Sequence, residues 1–189
     1  MTRVIPGLLL ILGLVQGVQG GWIYAKAWMA ECLLEGAWSR TLEGEAQVTP
    51  WPWADTWPVA RLSFPDHESD MVVLEGASGR VLAFAPGHLH GTASPGQEGA
   101  CVVAGHRDTH FAVLEYLRPG DLIEVDGAGG SRHSYRVRAS AVLDRDDVWA
   151  LAPTGGSELI LVTCWPFDAV VPGGSQRYVV WAAKAGKES

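Results

Sequence analysis

The sequence predicts a mainly β domain, a small barrel or sandwich of about eight short strands with little helix, set behind a helical N-terminal segment. Three observations carry this. From Val59 onward, short runs rich in Val, Ile, Leu and Tyr recur, each bounded by Gly, Pro or Asp. Turn signals such as Pro119-Gly120 and the glycines between Gly127 and Gly130 separate the runs. Ahead of them, the chain carries no charge between Arg3 and Lys26.

That uncharged stretch, Val4 to Tyr24, has the roughly 20 residues that a bilayer-spanning helix requires. Trp22 and Tyr24 fall where an interfacial aromatic belt would sit, and Arg3 places the N-terminus on the cytoplasmic side. Residues 1–24 are therefore expected to be an uncleaved membrane anchor. A cleaved signal peptide ending near Val18-Gln19-Gly20 is the rival, with a poor small-residue pattern. Ala25 to about Gly44 reads as helix, with Ala27, Ala30, Leu34 and Trp38 apolar and Glu31, Glu35 and Arg40 between them. Val48 to Pro58, VTPWPWADTWP, holds three prolines and three tryptophans and is excluded from helix. It reads as an extended strap whose indole rings cover a surface. Residues 25–57 thus form a juxtamembrane helix and strap, and residues 58–189 the folded domain.

Within that domain, strands are expected at Val59–Phe64, Met71–Glu75, Val81–Phe84, Gly99–Gly105, Leu122–Val125, Ser134–Ala139, Leu159–Thr163 and Arg177–Trp181. Phe111 to Leu117 reads as one or two helical turns.

The last two runs frame the candidate site. Leu159–Thr163 ends abruptly at Cys164, and the next run opens at Arg177-Tyr178. In neighbouring antiparallel strands those ends meet, which brings a thiol beside a guanidinium. A thiol at a strand exit, in an electropositive setting, is placed to react as thiolate. A proton acceptor is then needed. Of six histidines, His106 is best placed, because it follows Val102-Val103-Ala104-Gly105 and also stands at a strand exit. Cys164 as nucleophile, His106 as acid and base, and Arg177 as stabiliser of a developing oxyanion are sufficient for acyl transfer at an amide bond. Asp108 and Asp168 lie close to these residues as possible orienting or contact groups.

The stretches VVAGHRDTHFAVLEYLRPGD, LILVTCWPF and QRYVVWAA, in this order and spacing, resemble the sortase family. Leu161-Val162-Thr163-Cys164 matches its TLxTC-type signature, His106 its histidine and Arg177 its arginine. The resemblance runs from about Pro58 to Ala183. The PWPWADTWPVARL segment and the short anchor look most like the Gram-negative, single-target sortases often called class GN. The resemblance implies a closed β-barrel and a cysteine transpeptidase of the inner membrane, with its catalytic domain on the periplasmic side. Such an enzyme cleaves a substrate protein at a C-terminal Leu-Pro-x-Thr-Gly-like sorting motif, between Thr and Gly, and passes the acyl group to an amine in the envelope. Thr163, Trp165 and Ala104 would contact substrate. Trp165 departs from relatives that carry Tyr after the cysteine. No metal or cofactor is implied, and Glu115, Asp121 and Glu124 are too scattered for the calcium cluster that some sortases use.

A net charge of −7 without a basic cluster argues against nucleic-acid binding. Cys32, Cys101 and Cys164 are odd in number and widely spaced, so neither a disulfide framework nor a CxxC zinc site is indicated. Cys101, inside a strand run, reads as core, with a Cys101–Cys164 disulfide as the alternative. Three rivals stand beside the transpeptidase. One is metal binding by His88, His90, His106 and His110. Another is a cysteine peptidase with water as acceptor. The third is a membrane-anchored β-domain without chemistry.

Overall fold

A computed structural model of the chain describes residues 4–152, 155–171 and 173–186. Its strands are β1 (Pro58–Phe64), β2 (Ser69–Glu75), β3 (Gly87–His88), β4 (Gly99–Ala104), β5 (Leu122–Gly127), β6 (Arg132–Asp144), β7 (Ser157–Cys164) and β8 (Gln176–Lys184). They close into a barrel in the order β1–β2–β3–β4–β7–β8–β6–β5, so the closed alternative holds over the sandwich. The barrel is mixed. β2 runs parallel to β3 and β4 runs parallel to β7, while the other pairs are antiparallel.

The interior follows from strand alternation. β1 alternates buried and half-buried along its whole length, sending Leu62 and Phe64 inward. Val103, Ile123, Tyr135 and Leu161 meet them there. Burying each large apolar side chain stabilises by about 1.5–3 kcal/mol. β7 is different, because Leu159 and Leu161 face inward while Ile160 faces outward under Leu151, Leu143 and Trp181. Both faces of β7 are covered, which is why its sequence is a continuous apolar run.

Two expectations are corrected. The strand foreseen at Val81–Phe84 is instead a helical turn, α2 (Gly79–Leu82). Ser78 caps it, its hydroxyl accepting from the Val81 N–H at 3.4 Å, and Val81 packs in a cluster with Leu34 and Trp38. The third strand of the barrel falls later, at Gly87–His88, and is only two residues long.

The second correction concerns the anchor. One helix, α1 (Val4–Leu42), runs through both the foreseen anchor and the juxtamembrane helix. Among the described residues no helix is long and apolar enough to cross a membrane. Arg3, used above for orientation, and Pro172 lie outside the described residues. The C-terminal part of α1 packs on the barrel, with Leu34 and Trp38 against Val72 and Leu74. Arg61 on β1 donates to Glu35 at 2.8 Å and to Asp70, tying helix, β1 and β2 together.

The Trp/Pro stretch is non-helical and acts as a strap. Thr56 donates its hydroxyl to the Glu75 carbonyl at 2.7 Å, and the Glu75 N–H donates to the Trp57 carbonyl. Trp51 packs edge-on against Phe84, with ring centroids 4.8 Å apart, whereas Trp53 is exposed.

Candidate active site

Strand register builds the site. In the antiparallel β7–β8 pair, Cys164 lies directly opposite Arg177. The two residues enclose the intervening loop at its base. β4 lies on the other side of β7, parallel to it, with Ala104 level with Val162. Parallel strands bring their C-terminal ends out at one rim. His106, two residues beyond Ala104, and Cys164, two residues beyond Val162, therefore leave the barrel side by side. The backbone positions of Cys164, His106 and Arg177 therefore fall on one rim of the barrel.

The turn between β4 and His106 is held by three contacts. The Gly105 N–H donates to the Val162 carbonyl at 3.1 Å, extending the parallel ladder by one residue. The Thr163 hydroxyl donates to the Gly105 carbonyl at 2.8 Å. The Phe111 N–H donates to the His106 carbonyl at 2.9 Å. A Cβ on residue 105 would come within 2.7 Å of the Phe111 ring, so only glycine fits there. His106 itself is exposed, and Cys164 and Arg177 are half-buried. All three cysteines are free. Arg177 donates to the carbonyls of Gly174 and Gln176, both at 2.8 Å, which holds its side chain along the loop base.

Thr163 is buried, with its hydroxyl engaged by Gly105. Ala104 is half-buried and pairs with both Gly87 and Val162. Trp165 is half-buried, and its ring stacks on Tyr178 at 5.7 Å. Phe167 meets both rings edge-on, at 5.6 and 5.2 Å. The three aromatic rings form a cluster where the loop leaves β7, with Phe167 and Tyr178 packed against the barrel core. Sequence reasoning singled out only Trp165, since Phe167 and Tyr178 join it through the closure of the loop. Tyr178 donates its hydroxyl to Ser140 at 2.8 Å, which fixes that ring.

Arg107 is a second feature that sequence reasoning missed. It is buried, and it donates to carbonyls of the loop that follows Cys164 and to Asp108. Asp108 thus pairs with Arg107. Asp168 is exposed on the loop.

His110 lies beside this rim, in the wall of a groove of about 360 Å³ between α1 and the barrel. Burial, followed by the charge of His106, holds its pKa below the usual histidine value, and Glu31 opposes this weakly. His88 and His90 stand elsewhere, both bonded to Glu75. Among the described residues, no group of three His, Cys, Asp or Glu side chains is gathered to hold a metal ion.

The sequence profile of the sortase domain matches residues 62–185. Sortase D of Bacillus subtilis (strain 168) is 28% identical over 124 residues, covering 65% of this chain and 62% of that protein. The chain therefore spans less than two thirds of the length of that relative. Among solved structures, sortase E from Streptomyces avermitilis is 30% identical with a TM-score of 0.59, covering 68% of this chain and 88% of the other. A sortase D5 transpeptidase of Clostridium perfringens is 25% identical with a TM-score of 0.62, covering 80% and 89% respectively.

Proposed function

The chain belongs to the sortase family, and from that premise we propose that it is a cysteine transpeptidase acting on proteins that carry a Leu-Pro-x-Thr-Gly-like sorting motif. The observation that carries this reading is the register of β7 with β8. It sets Cys164 opposite Arg177, on the rim where β4 delivers His106.

The chemistry follows from these three groups. The imidazole of His106 takes the thiol proton, and Sγ of Cys164 attacks the carbonyl carbon of the motif Thr. Negative charge develops on the carbonyl oxygen, and the permanently cationic guanidinium of Arg177 stabilises it. The C–N bond to Gly breaks, and His106 returns the proton to the leaving amine. A thioester remains on Cys164. A second amine then attacks that carbonyl, forms a new amide and releases the thiol. Trp165, next to Cys164 in the chain and half-buried, offers an aromatic surface that can cover the apolar part of the motif. Thr163 serves chiefly to hold the His106 turn, and Ala104 leaves room for the peptide at the rim.

The partners that follow are a substrate protein with a C-terminal sorting signal and an amine acceptor. Both belong to the cell envelope, outside the cytoplasm, and the Trp/Pro-rich segment supports the class GN reading. Cell fractionation followed by protease protection checks the compartment.

The reading is tested with a fluorogenic sorting-motif peptide, with and without an added amine, followed by mass spectrometry. Cleavage between Thr and Gly, a thioacyl adduct on Cys164 and amine-dependent ligation are expected. Cleavage without ligation under any amine would identify a peptidase. Equal behaviour of the wild type and Cys164→Ala would leave no place for thiol chemistry.

A further inference from the structure

Arg107 follows His106 directly, yet the two side chains part. His106 is exposed, while Arg107 is 5% exposed. Its Nη1 donates to the Pro166 carbonyl at 2.7 Å and its Nη2 donates to the Ala169 carbonyl. Its Nε donates to Asp108 Oδ1 at 3.0 Å. Pro166 and Ala169 are the second and fifth residues after Cys164. One guanidinium thus joins the turn that carries the imidazole to the loop that leaves the thiol.

Stability alone does not call for a cation there. Removing a guanidinium from water is costly, and apolar side chains of similar volume commonly replace buried ion pairs without loss. The carboxylate that Arg107 contacts, Asp108, is itself largely exposed. What an arginine offers and an apolar residue lacks is a rigid fork that binds two carbonyls at a fixed spacing. We propose that Arg107 is a positioning residue, which holds the loop after Cys164 against the His106 turn and so sets the approach of the imidazole to the thiol. The proposal rests on the transpeptidase reading of this site.

The test uses the full chain with Arg107→Ala and Arg107→Lys, each alone and in a His106→Ala background. Two quantities are read. One is kcat and KM for the sorting peptide with an amine. The other is the pH profile of Cys164 alkylation by iodoacetamide. It is followed on the Cys164 peptide, because Cys32 is also exposed. Displacement of reacting groups by about 1 Å costs on the order of 100-fold. Arg107→Ala is therefore expected to lower kcat by roughly 10- to 100-fold, more than it raises KM, with Arg107→Lys in between. Its alkylation profile should move toward that of His106→Ala. In the His106→Ala background it should change alkylation no further, since a residue acting through the imidazole has nothing left to position.

An equal loss with and without His106 would overturn the proposal, because the loop would then matter for itself. So would wild-type kcat in a folded Arg107→Ala. If that variant does not fold, Arg107→Lys decides. Reduced kcat with a shifted alkylation profile supports positioning, and wild-type values overturn it. The alkylation arm needs no turnover. A wild type that cleaves no sorting peptide would sink the transpeptidase reading, while the coupling between Arg107, His106 and Cys164 would still be measured.

Discussion

Cys101 and Cys164 lie on adjacent parallel strands of one barrel, and they illustrate how position along a strand decides what a thiol does. Cys101 sits early on β4, level with Leu159, and points into the barrel with 1% of its surface exposed. Burial first, and the nearby Glu75 carboxylate second, push its pKa up to about 12. It lines an open pocket of about 310 Å³ together with Leu62, Val73, Val103, Val125, Glu75 and His88. Cys164 ends β7 at the opposite rim, half-buried, opposite a guanidinium instead of beside a carboxylate. The two thiols share a sheet and differ in access and in the sign of the neighbouring charge, the two quantities that govern thiol reactivity.

The sharpest way to break this comparison is to remove each thiol in turn. Cys164→Ala is expected to reduce sorting-peptide cleavage to background, whereas Cys101→Ala should keep kcat within about twofold. Parallel cleavage assays decide, and equal losses would erase the distinction. Next in size is the neighbouring charge. Arg177→Ala should lower kcat by on the order of 100- to 1000-fold if its guanidinium meets the oxyanion, with Cys164 still open to alkylation.

A third effect concerns the buried thiol in alkali. The unfolded Cys101 thiol ionises near 9.0, while the folded one holds its proton to about 12. The unfolded chain loses that proton first, so this contribution to stability is intact below about pH 9 and falls as pH rises toward 12. Tyr135, also held up by burial, adds to the same decline. Cys101→Ala should therefore flatten the loss of Tm in alkali, read from thermal melts at rising pH. The smallest effect concerns the rim itself. Thr163→Val removes the bond to the Gly105 carbonyl, which contributes about 1 kcal/mol, or a few degrees of Tm. A few-fold drop in kcat should accompany it, read in the same assay, as the His106 turn loosens.

Much of this was legible in the sequence because it depends on strand ends. The run ELILVTC and the run RYVVW are apolar enough to be strands on composition alone, and their facing ends are Cys164 and Arg177. Gly105 before His106 marks a close approach, which proves to be to the Phe111 ring. What escaped depends on contacts between distant segments. A two-residue strand such as β3 has no periodicity to read. Val81–Phe84 is as apolar as a strand, and its helical turn is decided by the Ser78 cap and by the α1 surface above it. In the N-terminal segment one continuous helix runs from Val4 to Leu42, and among the described residues no helix is long and apolar enough to cross a membrane. Arg107 carries no signal of its own in the sequence, and its burial appears only when the loop after Cys164 folds over it.

The groups that fix this loop also leave it free to change. Its base is closed by the backbone pairing of Cys164 with Arg177, and Arg107 grips it through the carbonyls of Pro166 and Ala169. Every amino acid supplies a carbonyl. Side chains along the loop can therefore be exchanged, by evolution or by grafting, without dismantling the three groups at its foot. The exposed side chains of the loop can in this sense be rewritten while the strand pairing and the Arg107 grip on its backbone persist.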